Sequence, residues 1–236
     1  NDSSSFDIVT ERFTFADRIE ALACVDVDGS RSMDLLTVGA TLDAYTNPRS
    51  GGTGLIVRPV RSAGSTGAPA DAVGATVRVD LDGDGDWTTG KQIAAVVAEA
   101  GLPVLVNVPG GGAAGVRVDF ADGVGRQGVF SAGPAPATVD EPAAFVAASV
   151  RIGGTADAPK LIVDGSGMPS VGGRIEVDDV ALATVKAPKK KVLPDGTTTR
   201  LVGKDGGLAG LTAQRPVAVR VVDPATGVLS APVRIY

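Results

Sequence analysis

The sequence predicts an all-β protein of two β-sandwich domains in tandem, dividing at residues 1–138 and 139–236. Three observations carry this expectation. Apolar residues come in short runs, many alternating with polar ones, which is the period-2 signature of strands buried on one face. The runs are punctuated by 32 Gly and 15 Pro, the residues that turn a chain or end a strand. Finally, 44% of residues are hydrophobic but only 4% aromatic, so the core must be filled by Val, Leu, Ile and Ala, a mixture suited to sheet layers.

Residues 6–15 read as a first strand, offering Phe6, Ile8, Phe13 and Phe15 to a core. Strands over 19–27 and 35–45 follow, separated by Asp28-Gly29-Ser30. The next covers 54–61, where Pro59 suggests an edge or a strand end because it lacks an N–H for the ladder. A small-residue loop over 62–73 leads to 75–81, where Val77, Val79 and Leu81 face one way and Thr76, Arg78 and Asp80 the other. Residues 91–100 are the best helix candidate, alanine-rich with Gly101 as a stop, although their length also fits a strand and a turn. Strands at 102–108 and 115–120 are expected to form a hairpin across Pro109-Gly110-Gly111-Gly112, and 128–131 closes the region.

Residues 133–138, rich in Pro and Ala, read as a linker. Beyond it, seven short strands are expected at 145–152, 160–164, 174–177, 180–186, 197–202, 217–222 and 231–236. That spacing is the pattern of an Ig-like sandwich.

The second half also resembles bacterial Ig-like domains of the IPT/TIG type. The carrying residues are Leu161-Ile162-Val163-Asp164-Gly165-Ser166-Gly167-Met168, then Gly172-Gly173-Arg174-Ile175-Glu176-Val177-Asp178-Asp179-Val180. The closing turn Asp223-Pro224-Ala225-Thr226-Gly227-Val228-Leu229-Ser230 adds to the likeness. The resemblance covers about residues 145–236 and implies fold much more than function. Asp179 and Val180 depart from that family's Asn-Gly turn, so the turn here must be made differently. Asp84-Gly85-Asp86-Trp87 and 116–125 are more loosely similar to bacterial Ig-like repeats.

Composition removes whole classes of function. The 236 residues include no histidine, which excludes histidine-dependent triads, histidine metal sites and ordinary histidine acid–base catalysis. Two carboxylates suited to glycoside hydrolysis need no histidine, but few aromatics are available to line a sugar cleft. The protein is therefore expected not to be an enzyme. A net charge of −5 argues against nucleic acid as a partner. No apolar stretch reaches the ~20 residues of a membrane span. The single cysteine, Cys24, reads as a small hydrophobe on a strand. Asn1 in place of methionine, followed by a polar run, suggests a mature secreted chain, extracellular or on a bacterial cell surface.

The sharpest local motif is Asp80-Leu81-Asp82-Gly83-Asp84-Gly85-Asp86. Alternating carboxylates with a sixth-place glycine match the start of a calcium loop, making Asp80, Asp82, Asp84 and Asp86 candidate Ca²⁺ ligands. The twelfth position is Lys91 instead of the expected Glu, and an acidic Asp-Gly turn between strands explains the pattern equally directly. Asp26-Val27-Asp28-Gly29 with Asp34 forms a weaker acidic turn. Lys189-Lys190-Lys191 either meets an anionic partner such as a surface polysaccharide or guards a strand edge. Trp87, the sole tryptophan, reads as a core or turn anchor.

These features suit a structural subunit of an extracellular filament or surface assembly whose partner is another copy of itself. Strand edges and apolar faces would make the contacts, with the strand holding Phe6, Ile8, Phe13 and Phe15 available for exchange. The alternative is a monomeric adhesin or carbohydrate-binding module.

Overall fold

The computed structural model describes residues 18–25, 27–28, 34–46, 53–61, 70–88, 92–99, 102–108, 112–133, 135–143, 146–155, 158–169, 173–182, 184–193, 196–204 and 216–235. Among them the protein is all-β, with twenty strands and no helix. Among the described residues no helix is long and apolar enough to cross a membrane. The chain forms two compact units, Asn1–Gly52 and Thr53–Tyr236.

The first unit holds an antiparallel meander of β1 (Ala21–Val25), β2 (Asp34–Val38) and β3 (Leu42–Tyr45). The single strand expected over 35–45 is thus two, folded back around a bend at 39–41 so that Leu35 pairs with Tyr45. Cys24 lies on β1, opposite Leu35.

The second unit contains two hydrophobic cores that share a nine-stranded sheet. Over the first core lie β4 (Thr53–Arg61), β5 (Ala70–Asp71), β8 (Val104–Val108) and β11 (Ala137–Asp140). Facing them are β6 (Thr76–Asp80), β7 (Ile93–Val97), β9 (Ala113–Asp119) and β10 (Gly125–Ser131). Leu55, Val57, Val104, Val106 and Val139 from one layer meet Val77, Val79, Val116 and Val118 from the other, all buried. The alternation at 75–81 therefore holds for Val77 and Val79, whereas Leu81 lies past the strand end and is only partly buried.

The second core is built the same way. One layer is β12 (Val146–Thr155), β13 (Ala158–Ser166), β17 (Gly196–Lys204) and β16 (Thr184–Leu193), in that spatial order. The other is β14 (Arg174–Val177), β15 (Val180–Ala181), β18 (Val217–Asp223), β19 (Val228–Leu229) and β20 (Val233–Ile235). Leu161, Val163 and Leu201 pack against Ile175, Val217, Val219 and Val221. The continuous sheet runs β15-β14-β18-β19-β10-β9-β6-β7, with β20 added beside β18. The short pairing of Gly125 with Leu229 and Arg126 with Val228 joins its halves.

Several expectations change in this light. Of the two readings of 91–100, the described residues follow the strand and not the helix: β7 occupies Ile93–Val97, and Glu99 bridges Leu102. Val96 and Ala94 fall opposite Val77 and Val79, so pairing with β6 overrides the alanine content. The hairpin across 109–112 does not form. β8 pairs with β4, and β9 pairs with β6 and β10, so the two strands belong to different sheets. Pro59 is not on an edge, since β4 has neighbours on both sides. On one side it falls in the gap where β8 pairing has ended at Val57 and β5 pairing starts at Val60, so the missing N–H costs that ladder nothing. The residues read as a linker end in β11, which runs parallel to β4 and contains position 138. The turn before Val180 is made by Asp178 and Asp179. Both residues have positive φ, 49° and 69°, and connect Val177 to its partner Val180, the backbone of a two-residue type I′ turn.

Candidate functional site: an ion-pair seam, an acidic loop and a bare sheet edge

Alternation places the charged residues of the shared sheet. With Val77, Val79, Val116 and Val118 turned into the first core, Arg78, Arg117 and Asp119 project from the opposite face. Arg78 and Arg117 are directly paired across β6 and β9, a like-charge pair that repels unless neutralised. Two of the neutralising acids, Glu176 and Asp179, come from the strand β14 and the turn after it, and the third is Asp119 itself. Arg117, with a fully buried side chain, donates from Nη1 to Glu176 Oε2 at 2.8 Å and from Nη2 to Asp179 Oδ1 at 2.8 Å. Arg78 donates to Asp119 at 2.6 Å and to Asp179 at 2.8 Å. Arg220 pairs with Asp119, and Arg174 with Glu176 at 3.0 Å.

Buried charges are tolerated only when paired and hydrogen-bonded in this way. Burial raises the Asp119 carboxyl, but the guanidiniums of Arg117, Arg220 and Arg78 outweigh it and hold the pKa below the ordinary value. Asp179 takes a left-handed backbone, which Asp adopts more readily than most residues other than glycine. Its carboxylate answers Arg78 and Arg117 at once. None of these partners is adjacent in sequence.

The acidic loop hangs from the same seam, because Arg78 Nη1 also donates to the Trp87 carbonyl at 2.9 Å. Asp80, Asp82 and Asp84 bring carboxylate oxygens within 4.8 Å of one another. Asp80 is buried and accepts from the Gly83 and Gly85 amides at 2.7 and 2.9 Å, each glycine having positive φ. Asp86 is not brought into the group; its Oδ1 accepts from the backbone and hydroxyl of Thr88. Local desolvation, a hydrogen bond with Asp80 and repulsion from Asp84 raise the Asp82 pKa. Trp87 is buried, its ring against Gly115, as expected of an anchor. Asp34 is buried, with its Oδ2 accepting from the Val27 amide at 2.8 Å, which makes that acidic turn a local cap.

The strand edges differ sharply. β16 ends the four-stranded sheet, and Lys186, Pro188, Lys189, Lys190 and Lys191 all fall on it. β7 ends the nine-stranded sheet and pairs only with β6 among the described residues, yet Ile93-Ala94-Ala95-Val96-Val97 carries no charge and no proline. Val97 is 59% exposed and Val96 39%. Charge and proline are the usual protection of an edge against pairing. Phe6, Ile8, Phe13 and Phe15 lie outside the described residues.

No protein-family model, characterised protein sequence or solved structure matches the chain.

Proposed function

We propose that the protein is a non-catalytic structural subunit of an extracellular filament or surface assembly, joined to other copies by strand addition at β7. The uncharged, exposed edge of β7 carries this reading. Such an edge presents a row of backbone groups ready to pair with another chain. The lysine- and proline-bearing edge of β16 makes the contrast within one molecule. Pairing of β7 with its own copy would give an isologous, closed dimer, whereas a filament needs a heterologous contact. The proposed donor is the alternating segment of a neighbouring copy that contains Phe6, Ile8, Phe13 and Phe15.

In this reading the ion-pair seam stiffens the sheet that bears the edge. Calcium, where present, would be held by Asp80, Asp82 and Asp84 and would tighten the loop tied to that seam. The test is electron microscopy of the concentrated chain beside one lacking residues 1–15, with circular dichroism to show that the shorter chain is folded. Filaments in the first and none in the second support the proposal. Uniform monomers in both contradict it.

A further inference from the structure

The four-stranded sheet over the second core has an outer face that the assembly reading does not use. Leu161, Val163 and Leu201 point into that core. Alternation therefore turns Lys160, Ile162 and Asp164 of β13 and Arg200, Val202 and Lys204 of β17 the other way. Directly paired residues share a face, which adds Arg151 of β12 beside Ile162 and Lys186 of β16 beside Val202. Ile162 and Val202, both half-buried, stand side by side at the centre. Arg151 and Lys186 flank them across the strands. Lys160 and Lys204 lie at one end, one position beyond the Leu161–Gly203 pair, and Arg200 lies at the other. Among the described residues this face carries five cations and one acid, in a chain whose net charge is −5.

We infer that this face binds an acidic polysaccharide lying along the sheet. The one acid, Asp164, is already shared by two cations, accepting from Arg151 at 2.9 Å and from Arg200 at 2.6 and 2.7 Å. The lysines have no such partner among the described residues. The charges acting on Lys204 are those of Lys186 and then Lys160, which hold its pKa below the ordinary lysine value. Like charges gathered on one face repel, and an anion laid across them relieves that repulsion while complementing the patch. Lys204 and Arg200 are four residues apart on β17, about 13 Å along a strand. One small anion does not reach both, whereas a chain with repeated charge does. Sugar rings that each carry an acid group match the centre as well, setting apolar C–H faces over Ile162 and Val202 and charge over the surrounding cations. A nucleic acid carries denser charge, which the net charge of the chain opposes.

Calorimetric titration of the whole chain with an oligogalacturonate tests this, with chelator present so that calcium does not bridge the two. The expected result is saturable binding that weakens as salt rises, with no response to dextran. Lys186→Gln combined with Lys204→Gln should weaken binding at least tenfold, and Lys186→Arg combined with Lys204→Arg should retain it. Arg61→Gln combined with Arg234→Gln removes as much charge from strands outside this sheet and should leave binding unchanged. Urea unfolding shows that each variant is folded. Polyglutamate and a DNA oligonucleotide should bind more weakly than the oligogalacturonate. The inference is overturned by no binding of oligogalacturonate, by full binding in the folded Lys→Gln pair, or by an equal loss in the Arg61 and Arg234 pair. Equal or tighter binding of polyglutamate or of DNA overturns it too, assigning the face to an acidic protein or to nucleic acid.

Discussion

Arg117 and Glu176 face each other at 2.8 Å with almost no exposure to solvent, although 59 positions separate them in the chain. One stands on the part of the shared sheet that packs on the first core and the other on the part that packs on the second. Their contact, with Asp179, holds together the two halves of the shared sheet beyond the two residue pairs of the β10–β19 ladder.

Removing one member of such a pair leaves the other buried and uncompensated, at a cost of about 3–5 kcal/mol. Glu176→Ala is therefore expected to lower the urea-unfolding free energy by about that amount. Arg117→Met combined with Glu176→Leu should cost much less than the sum of the single changes, because both charges leave together. Equal and additive losses would show that the pair does not act as a unit.

Acid should weaken the second core in a defined window. Asp164 is held at about 2 by hydrogen bonds first from Arg200, with burial opposing, and then from Arg151. A carboxyl depressed in the folded state contributes stability that is complete above its unfolded value near 3.8 and is lost as pH falls through about 2. The contribution is roughly 2 kcal/mol. Asp164→Asn should remove it at neutral pH and flatten stability between about pH 4 and 2. Chemical denaturation across that range checks both.

Asp80 is expected to matter with or without an ion, since it caps two amides of its own loop. Asp80→Ala should cost about 1–3 kcal/mol. If Ca²⁺ joins Asp80, Asp82 and Asp84, millimolar calcium should raise the wild-type Tm and leave Asp82→Asn unmoved. Thermal scans with calcium and with chelator separate the two effects.

Two glycines with nearly the same φ should respond differently to alanine. Gly85, at +74°, has open space around a new Cβ, so Gly85→Ala should cost only the backbone strain, about 1 kcal/mol. Gly227, at +71°, would drive a Cβ into the carbonyl oxygen of Gln127, so Gly227→Ala should cost more, about 2 kcal/mol or above. Unfolding curves of the two variants side by side measure the difference.

These cases also mark what the sequence could and could not convey. Val77 and Val79 announce their burial by alternation, and Asp223 to Ser230 announces a turn. Arg117 sits in Val116-Arg117-Val118-Asp119, a pattern that reads as a solvated charge. Its burial depends on Glu176 and Asp179, which local periodicity does not connect to it. At 91–100 the strand alternative holds over the helix, because alanine content speaks for local propensity while a neighbouring strand decides. The expected hairpin at 109–112 failed because a glycine-rich turn signals a reversal without saying which sheet the next strand joins. In the acidic loop the converging carboxylates were legible from spacing, but the turning away of Asp86 depends on Thr88.

The central claim is that β7 is an assembly edge, and Val97→Lys tests it most directly. Val97 is 59% exposed, so a lysine there leaves the fold intact while placing charge on the edge. Sedimentation velocity over rising concentration should show wild-type chains growing into large species and Val97→Lys remaining monomeric, with both unfolding at the same urea concentration. Wild-type protein that stays monomeric throughout, or a folded Val97→Lys that assembles as well as wild type, would contradict the account.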